Sequence, residues 1–323
     1  MSCFWWGTKT RESLYVPLSS DEHCLDDRDK KIIKFSPKQI RAITCNFATK
    51  KFYSERRSIS TYKCSLPDGR IVAVKKLIRG IVFETDEQFM AHVDTLCRVH
   101  HPNLVPLLGY CCYSEKYQIL VFEFGENNTL LHHLHGGGSV LSWETRYKIA
   151  IGIARALSYL HNDCNPHIVH RGIRPANILL DNEFDPQVAD LGLQLLADSC
   201  HTEHVSYLKE DIGYVPLEYH CAGRMTDKSD VYCFGKLLLE LLTGCAHIDQ
   251  EQCNNHLRSL DNKDKDFSAA VDPNLGGIYN QDEVHRMVVA ICACVAFEET
   301  PNMAEVLCVL DRSPIKSTMR VKV

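Results

Sequence analysis

Residues 226–243 read TDKSDVYCFGKLLLELLT. Beyond Asp230 this stretch is apolar on nearly every side of a helix. A helix that is apolar all round belongs inside a protein, so the rest of the chain has to surround it. Gly244 stands where a left-handed glycine would end such a helix. Two further apolar helical segments, 283–296 and 303–310, follow. The chain has 323 residues, 45% of them hydrophobic, which supplies material for a sizeable core divided between two lobes. The net charge of -5 leaves no basic footprint for nucleic acid. No apolar run is long enough to span a bilayer. Phe4, Trp5 and Trp6 give way at once to polar residues, too soon for a secretory signal. The 16 scattered cysteines are therefore read as reduced thiols, many of them small core residues.

Residues 1–34 are polar and carry Asp21, Glu22, Asp26, Asp27 and Asp29, the composition of a disordered tail. Cys3, beside the aromatic run, offers a second reading as an acylated membrane anchor. In 35–47, FSPKQIRAITCNF, Ser36 is a helix cap, Pro37 opens the helix, and Ile40 and Ile43 face the core. Residues 62–77 form a hairpin about the turn Pro67-Asp68-Gly69. A helix over 87–99 follows, with Phe89, Val93 and Leu96 on one face. His132, His133 and His135 beside Gly136-Gly137-Gly138 lack the preceding strand of a phosphate loop and a second metal-ligand cluster. They are read as a surface loop. Ser142 caps the next helix, which buries Ile149, Ile153, Leu157 and Leu160.

That helix leads into residues 168–181, IVHRGIRPANILLD, followed by VADLGL at 188–193. With FSPKQIRAITCNF, HPNLVPLLGYC at 101–111 and QILVFEF at 118–124, these motifs resemble the plant receptor-like kinases and their cytoplasmic relatives, the Pelle-like protein kinases. The resemblance covers about residues 35–311. It implies an α+β, bilobal protein-kinase fold: an N-lobe with lead-in and hinge over 35–125, a mainly helical C-lobe over 126–311, and a C-terminal tail over 312–323. It also implies site roles. Lys75 would hold nucleotide phosphates, and Phe122, Glu123, Gly125 and Leu179 would line the adenine slot. Phe122 is the gatekeeper, and 123–125 form the hinge. Asn177 and Asp190 would hold Mg²⁺. Leu96, Leu107 or Leu108, Leu191 and His170 would form the spine that joins the lobes. Asp230 would tie the catalytic-loop backbone to the central helix.

The departures fall on the chemistry. A kinase has an aspartate after His-Arg, where this chain has Gly172, and glycine cannot accept a proton from a hydroxyl. The three phosphate-loop glycines become Ser54, Arg56 and Ile59, with Thr61 at the valine. The carboxylate that aims Lys75 becomes His92, and the catalytic-loop lysine becomes Arg174. Glu210-Asp211-Ile212 and Pro216-Leu217-Glu218 replace the substrate-side motifs, and Thr300-Pro301 replaces the arginine that pairs with Glu218. Thr202, Ser206 and Tyr207 are phosphoacceptor candidates that Arg171 would engage.

Scaffold kept and chemistry lost describe a pseudokinase: a non-catalytic scaffold or regulatory partner in plant signalling, with weak binding of ATP and Mg²⁺. The partner class implied is an active receptor-like kinase or immune receptor, reached from the cytoplasm or, through Cys3, at the inner face of the plasma membrane. Two rival readings are a weakly active serine/threonine kinase and an ATP-binding switch without transfer.

Overall fold

The computed structural model describes residues 32–47, 59–112, 116–193, 214, 225–246, 267–296 and 300–311. Five strands form the first sheet: β1 (Ile33–Lys34), β2 (Ile59–Ser65), β3 (Ile71–Ile78), β4 (Leu107–Cys112) and β5 (Tyr117–Glu123), in the order β1-β4-β5-β3-β2. Ile33 pairs with Gly109, and a Cβ on Gly109 would lie 2.2 Å from the Ile33 carbonyl oxygen. Glycine at 109 therefore admits the added strand, so Ile33 and Lys34, expected in a tail, pair in the sheet instead; residues 1–31, with Cys3, lie outside the described residues.

Side chains alternate across a strand, and the sheet buries both faces. Val72 and Val74 of β3, with Ile119 and Val121 of β5, pack on one side under Ile40 of α1 (Pro37–Ile43). Ala73, Leu77, Leu120 and Phe122 face the other side and join the main core. Helix α1 begins as expected: the Gln39 N–H donates to Ser36 Oγ (3.3 Å) and the Ser36 N–H donates to Gln39 Oε1 (2.8 Å). Such a cap contributes about 1 kcal/mol. The β2–β3 turn also forms, with Gly69 at φ +89°. Helix α2 (Asp86–Arg98) covers the core side of the sheet and buries Phe89, Val93 and Leu96.

After the hinge the chain is mainly helical. Thr129 caps a short helix, α3 (Leu130–His135). The three histidines are therefore helical and not in a surface loop. His133 Nε2 bonds the Asn127 carbonyl (2.8 Å), and His135 Nε2 reaches Glu240 (2.9 Å). A cap at Thr129, a bond back to the adjoining loop at Asn127 and one distant partner, Glu240, outweigh the weak propensity of a six-residue segment. Helix α4 (Trp143–Ser158), capped by Ser142, runs to the catalytic-type loop, and the short strands β6 (Ile178–Leu180) and β7 (Pro186–Val188) follow.

Helix α5 (Asp227–Thr243) is buried on all sides; Val231, Phe234, Leu237, Leu238, Leu241 and Leu242 are each 0% exposed. Truncating such a side chain to Ala costs about 2–5 kcal/mol. Helix α6 (Gln281–Val295) lies close against it: a Cβ on Gly235 would sit 2.6 Å from Cys294 Cβ. Gly244 ends α5 at φ +68°. Helix α7 (Met303–Leu310) packs on α4 and α6. One core cluster runs from Leu77 and Phe89 of the first lobe to Phe234 and Ile291 of the second.

Candidate functional site in the cleft between sheet and helices

Lys75 lies on β3, opposite Thr61 of β2 and Leu120 of β5. Its alternation directs it to the core side, and it is only 9% exposed. Its ammonium forms an ion pair with the Asp190 carboxylate. Asp190 follows β7 in a left-handed conformation, φ +68°, uncommon for a residue with a side chain. The turn is held by backbone bonds from the Leu193 N–H to the Asp190 carbonyl (3.1 Å) and from the Gly192 N–H to the His170 carbonyl (3.1 Å).

His92, where a carboxylate is expected, sits on α2 against that turn. A Cβ on Gly192 would come within 3.1 Å of His92 Cε1, and the Phe83 ring centroid is 5.1 Å away. His92 Nε2 is buried without a hydrogen-bond partner among the described residues. Burial, and secondarily the Arg171 guanidinium, push its pKa down to about 4. A neutral imidazole cannot form the ion pair that a glutamate would make with Lys75.

The loop carrying Gly172 is anchored from behind. Asp230 accepts the His170 N–H (2.6 Å), the Arg171 N–H (2.7 Å) and a bond from His161 Nε2 (2.9 Å). The Gly172 N–H donates to His170 Nδ1 (3.1 Å), which places the neutral ring's proton on Nε2. His170 is fully buried, and burial lowers its pKa despite the opposing effect of Asp230. The Asn177 amide donates to the Gly172 carbonyl (2.7 Å), and the Asn177 carbonyl accepts the Ala189 N–H (2.8 Å). All of these contacts survive without a side chain at 172. They shape the loop, while the proton acceptor is gone.

A cavity of about 190 Å³ lies between the lobes. Lys75, Phe122, Glu123, Leu179, Asn177 and Asp190 line it, so six of the sequence-derived site residues come together. Gly125 does not line it. It is needed because a Cβ there would lie 2.7 Å from the Leu180 carbonyl oxygen. The volume is below the roughly 300–1,000 Å³ usual for a ligand pocket. Arg174, 4% exposed, lines the same cavity. Phe124, inside the expected hinge, also lines it, with its ring 4.4 Å from the Lys63 ammonium; the sequence reading missed Leu131 of α3. The Thr129 cap was the signal that would have brought α3 to the cleft.

The spine is now resolved. Leu96, Leu107 and Leu191 are buried in the main cluster, whereas Leu108 belongs to the outer one. Ser54, Arg56, residues 194–213 with Thr202, Ser206 and Tyr207, and 216–218 lie outside the described residues. Pro301 is described: its carbonyl and that of Thr300 accept the Lys228 ammonium, at 3.1 and 2.6 Å.

Asn177 and Asp190 are the right residue types for Mg²⁺. In this arrangement, however, the Asp190 carboxylate is held by Lys75 and no carboxylate stands at 172 or 92. A divalent ion would have to displace the Lys75 ammonium, so the residues as arranged do not fit it.

The family model for protein tyrosine and serine/threonine kinases matches residues 60–272. The proline-rich receptor-like protein kinases PERK12 and PERK13 of Arabidopsis thaliana are 41% and 42% identical over 86% of this chain. The chain spans 40% of the length of either relative. The pseudokinase domain of BIR2, described as an immune regulator of the RLK/Pelle family, aligns with a TM-score of 0.71 and 30% identity over 88% of both chains. The apo GRMZM2G135359 pseudokinase shares the fold, with a TM-score of 0.68 and 21% identity over 91% of this chain and 98% of its own. The chain belongs to the protein kinase family, in its plant receptor-like kinase branch.

Proposed function

We propose that the chain is a pseudokinase, acting as a non-catalytic scaffold or regulatory partner in receptor-like kinase or immune signalling. The observation that carries the reading is the pair of substitutions around Lys75. Gly172 offers no base, and Lys75, without a glutamate on α2, is paired with Asp190. Phosphoryl transfer depends on positioned phosphates, metal and hydroxyl together. A missing general base alone typically costs about 10²–10⁴-fold in rate. The likeness to the BIR2 pseudokinase domain supports the reading, and the PERK relatives, named as kinases, stand against it. The partner is an active receptor-like kinase or immune receptor. No helix among the described residues is long and apolar enough to cross a membrane. Cytoplasmic placement, and attachment to the inner face of the plasma membrane through Cys3, belong to this proposal.

Lys75, Phe122, Glu123 and Leu179 form the nucleotide slot, and Asn177 and Asp190 are the residues a magnesium ion would use after displacing Lys75. Binding of ATP and Mg²⁺ is accordingly weak. A second reading, a weak serine/threonine kinase, draws on the intact Asp230 anchor and the retained Lys75, Asn177 and Asp190. A thermal-shift titration with ATP and Mg²⁺, run with a phosphotransfer assay on the same sample, separates the readings. The pseudokinase gives little or no shift and no transfer; transfer that Lys75→Ala abolishes supports the weak kinase.

A further inference from the structure

We propose that residues 312–323 of this chain dock in the open groove along helix α4, held there by charge. The inference does not depend on whether the cleft between the lobes transfers phosphate.

The first observation is where the described chain ends. Helix α7 closes at Leu310, whose carbonyl accepts the Tyr147 hydroxyl (2.7 Å). Asp311, next in line, pairs with Arg155 at 3.1 Å. Tyr147 and Arg155 belong to α4, and both line a groove of about 590 Å³ on the second lobe. The chain is thus delivered to the groove wall at residue 311. Across from α4 stand the β6–β7 turn, with Asp181 and Asp185, and Glu283 of α6. Gly152 lets that turn approach α4, since a Cβ there would lie 2.4 Å from Pro186 Cγ. Residues 312–323 lie outside the described residues. Twelve residues extended span up to about 40 Å, whereas α4 from Arg155 back to Glu144 runs about 16 Å. The segment is long enough to cross the groove.

Charge is the second observation. Four carboxylates, Glu144, Asp181, Asp185 and Glu283, line the groove against two cations, Lys148 and Arg155, a formal balance of -2. Asp311 and Arg286 at its rim cancel each other and leave that balance unchanged. Both lining cations are already engaged, Lys148 with Asp185 (2.9 Å) and Arg155 with Asp311. Glu144, Asp181 and Glu283 have no ion pair among the described residues. Asp181 accepts two backbone N–H groups of its own turn, and Glu283 accepts the Trp143 indole N–H. The segment RSPIKSTMRVKV carries four cations, Arg312, Lys316, Arg320 and Lys322, and no acidic side chain. Single exposed ion pairs contribute little. A segment tethered at Asp311 differs, because its effective concentration at the groove is on the order of millimolar and weak pairing suffices.

The test is trypsin cleavage of the full chain after Lys316 and Arg320, timed by mass spectrometry beside the free peptide 312–323. In about 0.05 M salt the full chain should be cut roughly tenfold more slowly than the peptide, because cleavage follows the undocked fraction. About 0.5 M salt should remove most of that difference. The variant Glu144→Gln, Asp181→Asn, Glu283→Gln keeps an acceptor oxygen at each position and removes the charge. It should bring the rate to within about twofold of the peptide. If it melts early, Lys316→Glu alters only the segment and should speed cleavage after Arg320. A zero-length carbodiimide, which joins an ammonium to a neighbouring carboxylate, gives a second readout. Expected cross-links run from Lys316 or Lys322 to Glu144, Asp181 or Glu283 within one copy of the chain. Equal cleavage of chain and peptide at low salt, protection indifferent to salt and to the variants, or cross-links only between two copies would each overturn the proposal.

Discussion

Lys75 on β3 and Asp190 beyond β7 are joined by an ion pair that ties the sheet to the second lobe across the cleft. Their side chains are 11% and 23% exposed, so the pair is largely shielded from water. Removing one partner leaves the other charge poorly compensated. Lys75→Ala and Asp190→Ala should each destabilise the chain by about 1–3 kcal/mol, and the double variant by less than their sum. Chemical denaturation of the four proteins checks this. Additive losses would mean that the two residues do not support one another.

Asp230 should matter as much for folding as in an active enzyme. Its carboxylate is 1% exposed and holds two backbone N–H groups and His161. Asp230→Ala should cost about 3–5 kcal/mol, because buried donors are left unpaired. Its melting temperature should fall well below that of Asp230→Asn, which keeps one acceptor oxygen. Equal melting temperatures for the two variants would show that the loop is anchored elsewhere.

Much of this was legible in the sequence, because it rests on local pattern. Helix α5 followed from apolar residues on every side, α1 from Ser36 and Pro37, and the anchor from Asp230 standing in register with its motif. The rest depends on groups far apart in the chain. Leu107 and Leu108 were indistinguishable because a register shift between Leu107 and Gly109 decides which leucine faces the main core. The His92 substitution announced that Lys75 had lost its usual partner, but not that Asp190 would become the new one. Helix α3 is hidden in the sequence because six residues carry too little periodicity. Its tie to the core, His135 with Glu240, spans 105 positions.

His92 predicts a pH dependence. Its pKa falls from about 6.5 in the unfolded chain to about 4 in the fold. Between those values the unfolded chain binds the proton and the folded one does not. Stability is therefore present above pH 6.5 and is lost as pH falls toward 4. At about 1.4 kcal/mol per unit, the loss at pH 5 is on the order of 1–2 kcal/mol. His170, shifted in the same direction, adds to the slope. Urea melts at pH 7 and pH 5 should show a smaller acid loss in His92→Leu than in the natural sequence. An unchanged loss would mean that His92 is not neutral in the fold.

Restoring the base alone should not restore an enzyme. Gly172→Asp returns a proton acceptor to an anchored loop, yet Lys75 stays paired with Asp190 and His92 stays neutral. Positioning and charge stabilisation act together in this reaction. The triple variant Gly172→Asp, His92→Glu, Ile59→Gly returns the base, a carboxylate for Lys75 and one of the three phosphate-loop glycines. Since Ile59 is 5% exposed, its loss should lower the melting temperature. Measurable transfer is expected only from the triple variant. Robust transfer from Gly172→Asp alone would show that His92 and the phosphate loop work as they stand.

The most direct measurement is phosphate incorporation from γ-labelled ATP, into a peptide and into the chain itself, by the natural sequence beside Lys75→Ala. Both proteins are first shown to be folded by their melting curves. Equal, background incorporation is expected in the two samples. Incorporation by the natural sequence that disappears in Lys75→Ala would contradict it and identify a working kinase with an unconventional base.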